Sequence, residues 1–220
     1  IHATGIGHRQ SRRSLSWTIL VTDGDQRSAL ATVRSLGRAG HTVHVCSSRG
    51  RSLAGASRYC TGDHRVPDAL REPDAFAAAL VDLSTAIGAD VLLPVTEPSL
   101  LAVLPQYDRF DCAIPFAPAE QFSAICDKAL VLESARRHGI AVPGQRLVHS
   151  AAEALDADLH LSFPVVLKPS RSVSGPATHR MKVGVLYASD RDELRDTLQQ
   201  MAPETFPVLL QQRVDGPGFA

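Results

Sequence analysis

Of the 23 basic residues in this 220-residue chain, only Lys128, Lys168 and Lys182 are lysines, and the other twenty are arginines. Arginine offers a planar fork of donors, lysine a compact and mobile ammonium. A chain that uses arginine for nearly every generic cation therefore marks its few lysines as places that need a point charge. Lys168 ends an apolar run, FPVVLKP, and leads into SRSVSG, residues 170–175. An ammonium beside free backbone amides and hydroxyls has the chemistry to grip a polyphosphate. Taken alone, a lysine at a strand end is more often simply solvated. Lys128 adds weight because it opens a helix behind Asp127, a residue type suited to the N-cap. A cation there opposes the helix dipole, and a residue set against its local preference points to function. Lys182 is expected at a strand edge.

The second candidate is the turn VTDGDQRSAL after the first apolar run. A dinucleotide fingerprint requires G-x-G-x-x-G here, so that the backbone can approach a pyrophosphate at a helix N-terminus. Only Gly24 of the three glycines is present, and Asp25 would repel phosphate. A turn with a helix cap, or a small-anion site using Arg27 and free amides, fits better.

The elements that must position these residues follow from periodicity. WTILVTD, a helix over SALATVRSLGRAG and HTVHVCSS form a βαβ unit, which implies parallel strands and a right-handed crossover. YCTGDHRVP is expected as a strand, PDAFAAALVDLSTAIG as a helix stopped by Gly88, ADVLLPV as a buried strand, EPSLLAVLPQY as a short helix and FDCAIPF as a last strand. Parallel sheets place ligand sites beyond the carboxyl ends of their strands. The loops 23–27 and 96–99 are thus candidate substrate contacts through Arg27 and Glu97, with ordinary polar loop residues the simpler reading. After Pro115 the pattern changes. Two short helices end at Gly139, and strands are expected at QRLVHS, FPVVLKP, KVGVLYAS and FPVLLQQRV, with helices at SAAEALDADL and DRDELRDTLQQM. This is the pattern of a small α+β lobe built on a sheet.

At these residues the chain resembles a known family. CDKALVLESARRHGIAVPGQ, FPVVLKPSRSVSG and VLLQQRVDGPG, in that order, resemble the N-terminal half of the ATP-grasp fold, in particular the carboxylate–amine ligases and the large chain of carbamoyl-phosphate synthase. ILVTDGDQRSALATVRSLGRAGHTVHVCS and ADVLLPVTEPS resemble the pre-ATP-grasp domain of that group. The resemblance runs from about Thr18 to Gly218.

It implies an α/β protein: a Rossmann-like pre-ATP-grasp domain with a parallel sheet over 17–115, then the α+β small lobe of an ATP-grasp fold over 116–220, truncated after the hinge. Residues 1–16 are expected to be a vector-derived or disordered leader. The resemblance further implies that Lys128 and Lys168 contact the nucleotide phosphates and that the loop carrying Ser170, Ser174 and Gly175 closes over them. Gln211, Gln212 and Val214 would belong to the hinge whose backbone holds adenine. Two departures stand out. The loop has Gly175 followed by Pro176 where several glycines are usual, and the hinge has Gln211-Gln212 where a Gln-Glu or Glu-x pair is usual. The second departure spares backbone recognition of adenine and removes a carboxylate contact.

The implied activity is ATP-dependent ligation of a small-molecule carboxylate to an amine through an acyl phosphate. The family's Mg²⁺ ligands and catalytic arginine belong to a second lobe, expected after Ala220, so no catalytic residue is assigned. The chain alone is expected to be an inactive fragment. A regulatory module that binds nucleotide without catalysis is one alternative, and a dinucleotide-dependent oxidoreductase is another, opposed by the missing glycines.

Composition excludes other classes. The 23 basic residues balance 23 acidic ones, so there is no electrostatic footprint for nucleic acid or an anionic membrane. No apolar run reaches the roughly 20 residues that cross a bilayer. Cys46, Cys60, Cys112 and Cys126 are widely spaced with no CxxC. That suits reduced thiols in a cytoplasmic protein, with Cys46 and Cys112 as small buried side chains. A homodimer is left open.

Overall fold

In the computed structural model, which describes residues 16–156, 162–175 and 180–216, three of the four residues of β1 (Thr18–Val21) are buried. Such a strand belongs inside a parallel sheet covered on both faces. The chain continues through α1 (Arg27–Arg38), β2 (Thr42–Ser47), β3 (Gly62–Arg65), α2 (Pro73–Ala86) and β4 (Val91–Leu93). All pairings are parallel, in the order β3-β2-β1-β4. Alternate residues Ile19, Val21, Val43 and Val45 pack with Ala29 and Val33 of α1. Gly88, beyond α2, sits at φ +61, a left-handed conformation that ends a helix at least cost when no Cβ is present.

The chain divides into two compact units, the first drawn from 1–66, 81–95 and 110–114 and the second from 67–80, 96–109 and 115–220. The strand expected at FDCAIPF is reduced to a single parallel bridge between Val91 and Ala113. Ala113 N–H donates to Asp90 and Leu92 N–H to Ala113. The next ladder bond would need an amide at Pro115, which has none.

In the first unit the turn after β1 packs on its own chain. Gly24 N–H donates to Cys46 O at 3.0 Å and its carbonyl accepts from Ala54 N–H at 2.8 Å. A Cβ at Gly24 would lie 2.5 Å from Val45 Cγ1 and 2.6 Å from Ser52 Cβ. The glycine serves close approach of two chain segments.

The second unit holds α3 (Glu97–Val103), α4 (Ala119–Cys126), α5 (Lys128–Arg137), β5 (Gln145–Val148), α6 (Ala151–Asp156), β6 (Val165–Pro169), β7 (Val173–Ser174), β8 (Met181–Lys182), β9 (Leu186–Ala188), α7 (Arg191–Gln200) and β10 (Val208–Gln212). An antiparallel sheet runs β5-β10-β6-β9. Val165, Leu167, Val208 and Leu210 share a core with Leu194 and Leu198 of α7. Because strand side chains alternate, Val166, Lys168, Leu209 and Gln211 are sent to the opposite face. The single strand expected over KVGVLYAS is two: β8 pairs with β7 and β9 with β6. Gly184, a poor strand residue, stands in the break. The expected leader through residue 15, the end of the helix expected over SAAEALDADL, Pro176 and Gly218 lie outside the described residues.

Candidate functional site

Lys168 is the fourth residue of β6, on the sheet face away from the core that α7 covers. Its Nζ donates to Gln211 Oε1 on β10 at 2.6 Å, and Gln211 Nε2 donates to Gln145 Oε1 on β5 at 2.9 Å. Gln211 is 5% exposed. The ladder pairs Gln211 with Gln145 directly and Lys168 with Leu209. The Lys168–Gln211 contact is therefore the diagonal one, within reach of long side chains.

Lys128 reaches the same place from a helix. The Asp127 carboxylate accepts from Ala129 N–H at 3.0 Å and Leu130 N–H at 3.4 Å, capping α5. Lys128 N–H donates to Ser170 O at 2.8 Å, so the helix start is tied to the chain leaving β6. Its Nζ donates to Pro169 O at 3.1 Å and Ser172 Oγ at 3.0 Å. Arg171 joins the same corner, contacting Asp127 Oδ2 at 3.5 Å and donating to Ser123 Oγ at 3.0 Å.

Lys128, Lys168 and Gln211 line one cavity of about 400 Å³, with Ile125, Val131, Leu132 and Pro143 as its apolar wall. Both ammoniums hydrogen-bond to neutral oxygens. Burial lowers the Lys128 pKa below the ordinary lysine value and Lys168 acts in the same sense, opposed by Glu97, Asp127 and Cys126. Burial and then the Glu97 carboxylate push the Cys126 thiol up to about 11, so Cys126 is a protonated thiol at neutral pH. Two lysine side chains beside an apolar wall have the chemistry to hold an anion attached to an apolar group.

The other expected residues fall as follows. Ser170 is buried, its N–H donating to Pro207 O and its carbonyl accepting from Lys128 N–H. Ser174 is on β7, and Gly175 follows it with φ +103. Gln212 ends β10, its N–H on Gly144 O at 2.8 Å. Val214 is exposed beyond the strand. Glu97 opens α3 and acts electrostatically on Lys128 and Cys126. Arg27 opens α1 in the first unit, exposed. Lys182 is exposed on β8 opposite Val173. The sequence reading missed Gln145 and Ser172. Gln145 had a signal, a polar residue on the same alternation as Leu147 in a short strand whose other polar residue, Arg146, is exposed.

No protein-family model matches the chain and no curated protein matches it. Solved structures do. An L-amino acid ligase from Bacillus licheniformis shares 18% identity at a TM-score of 0.68, over 92% of this chain and 45% of its own. A carboxyaminoimidazole ribonucleotide synthase from Aspergillus clavatus, complexed with ATP, shares 20% identity at 0.65, over 90% of this chain and 47% of its own. The biotin carboxylase domain of Hydrogenobacter thermophilus 2-oxoglutarate carboxylase, a dimer with MgADP, ADP and bicarbonate, shares 16% identity at 0.64, over 90% and 44%. The fold is that of the first portion of ATP-grasp ligases, and the chain spans less than half the length of these structures.

Proposed function

We propose that this chain is the nucleotide-binding portion of an ATP-dependent ligase that joins a small-molecule carboxylate to an amine. One observation carries the reading: two of the three lysines converge on one cavity, where each Nζ donates to neutral oxygens. Both present cationic donors to a polyphosphate there. Lys128 and Lys168 neutralise phosphate charge, the turn from Ser170 to Gly175 lies against it, and the backbone of Gln211, Gln212 and Val214 seats the base beside the apolar wall.

In the reaction, a carboxylate oxygen takes the γ-phosphoryl group and ADP leaves. The amine then attacks the acyl carbon, and phosphate departs as the amine loses its proton. Phosphoryl transfer is largely positioning and charge neutralisation, which the two lysines supply on the nucleotide side. Mg²⁺ has no fitting holder among the described residues, where no three His, Cys, Asp or Glu side chains cluster as ligands would. The four cysteines are free, which suits a cytoplasmic protein. Among the described residues no helix is long and apolar enough to cross a membrane.

A fluorescent ATP analogue titrated into the chain, with NADH in parallel, tests the reading. Saturable binding of the analogue, displaced by ATP, supports it. Preference for NADH favours the oxidoreductase, which the packed turn at Gly24 opposes. The single glycine of the 170–175 loop also suits a nucleotide-binding module without catalysis. ADP production by a longer form of the protein separates that module from a ligase.

A further inference from the structure

Resting on the nucleotide reading, we propose that Gln145 is a positioning residue: through Gln211 it aims the Lys168 ammonium into the cavity without cancelling its charge. The side chain of Gln211 is an ambiguous group, since its amide can present either oxygen or nitrogen to a neighbour. Turned one way it offers Lys168 an acceptor, and turned the other way it sets N–H donors against a cation. Lys168 carries donors only and so takes the oxygen, and Gln145 secures that order from the far side. Its Oε1 accepts from Gln211 Nε2 at 2.9 Å, which leaves Gln211 Oε1 facing Lys168 Nζ at 2.6 Å. The register holds the two amides opposite each other, and Gln211 is buried, so the order is maintained by the ladder. A carboxylate at 211 would also hold Lys168, at one unit less net positive charge in the cavity. An amide oxygen orients the ammonium without adding negative charge.

Removing Gln145 should therefore act on phosphate recognition and spare the base. The experiment measures affinity for ATP and for adenosine in the parent chain and in Gln145→Leu, Gln145→Glu, Gln211→Glu and Lys168→Ala, all at one salt concentration. Gln145→Leu should weaken ATP by roughly three- to tenfold, the size of one lost hydrogen bond, with adenosine unchanged. Gln145→Glu still accepts from Gln211 Nε2 and should keep the parental ratio of the two affinities. Gln211→Glu should lose ATP affinity while retaining adenosine. Equal weakening of both ligands in Gln145→Leu, or no change in either, overturns the proposal, as does failure of Gln145→Glu to keep the ratio. If ATP fails to bind the parent the nucleotide reading itself falls, and if it binds the parent and Lys168→Ala alike Lys168 has no part in the site; both results are distinct from failure of the relay alone.

Discussion

Lys168 Nζ and Gln211 Oε1 are 2.6 Å apart although the ladder does not pair them, since Lys168 faces Leu209 and Gln211 faces Val166. The contact exists because strand alternation puts both side chains on the face of β6 and β10 turned away from the α7 core. That places a flexible cation diagonally across from a fixed amide. The same alternation makes the site inseparable from the core, because a one-residue slip of β10 would bury Gln211 against α7.

The start of α5 carries Lys128, so its cap supports the site. Asp127→Ala should destabilise the chain by about 1 kcal/mol, the usual cost of losing a side-chain cap. Asp127→Asn should lose much less, because an amide oxygen still accepts from Ala129 and Leu130, and the partly exposed contact to Arg171 contributes under about 1 kcal/mol. Urea unfolding of the three proteins checks this, and equal losses in both variants would transfer the effect to Arg171.

Gly24 is required by space. Asp63 accepts from Ser52 N–H at 2.6 Å and from Ser52 Oγ at 3.1 Å, which holds Ser52 against the turn. Gly24→Ala should therefore cost about 1–3 kcal/mol through overpacking. A chemical denaturation midpoint unchanged by the substitution would show that the turn yields.

His44 and His64 stack with ring centroids 5.2 Å apart and nitrogens 2.9 Å apart. Burial lowers the His44 pKa below its ordinary value of 6.5, and His64 adds to the shift. The unfolded chain then binds the proton more readily than the folded one. The contribution of the neutral His44 ring is complete above the unfolded value of 6.5 and is lost as pH falls through the lower folded value. Unfolding midpoints at about pH 7.5 and about pH 5 should fall more steeply in the parent than in His44→Gln. Parallel pH profiles would remove the pair from the account.

Much of this was legible in the sequence because it depends on local pattern. The apolar runs marked the strands that hold Lys168 and Gln211, Asp127 announced its helix, and Gly139, at φ +73, stops α5 as its position suggested. The shortfalls are non-local. Whether FDCAIPF forms a strand depends on which bond Pro115 would have to make with β4. KVGVLYAS divides because its two ends have different partners. Gln145 could not be assigned a role until the register set it opposite Gln211, some 66 residues away.

Calorimetric titration of ATP into the parent chain, Lys168→Ala and Lys182→Ala at equal salt, with circular dichroism to confirm folding, tests the central claim most directly. Lys168→Ala should lose about 1.5–3 kcal/mol of binding, roughly ten- to a hundredfold, the size of a charge-assisted contact. Lys182→Ala, exposed on β8, should bind as the parent does. Parental affinity in Lys168→Ala together with loss in Lys182→Ala would contradict the account.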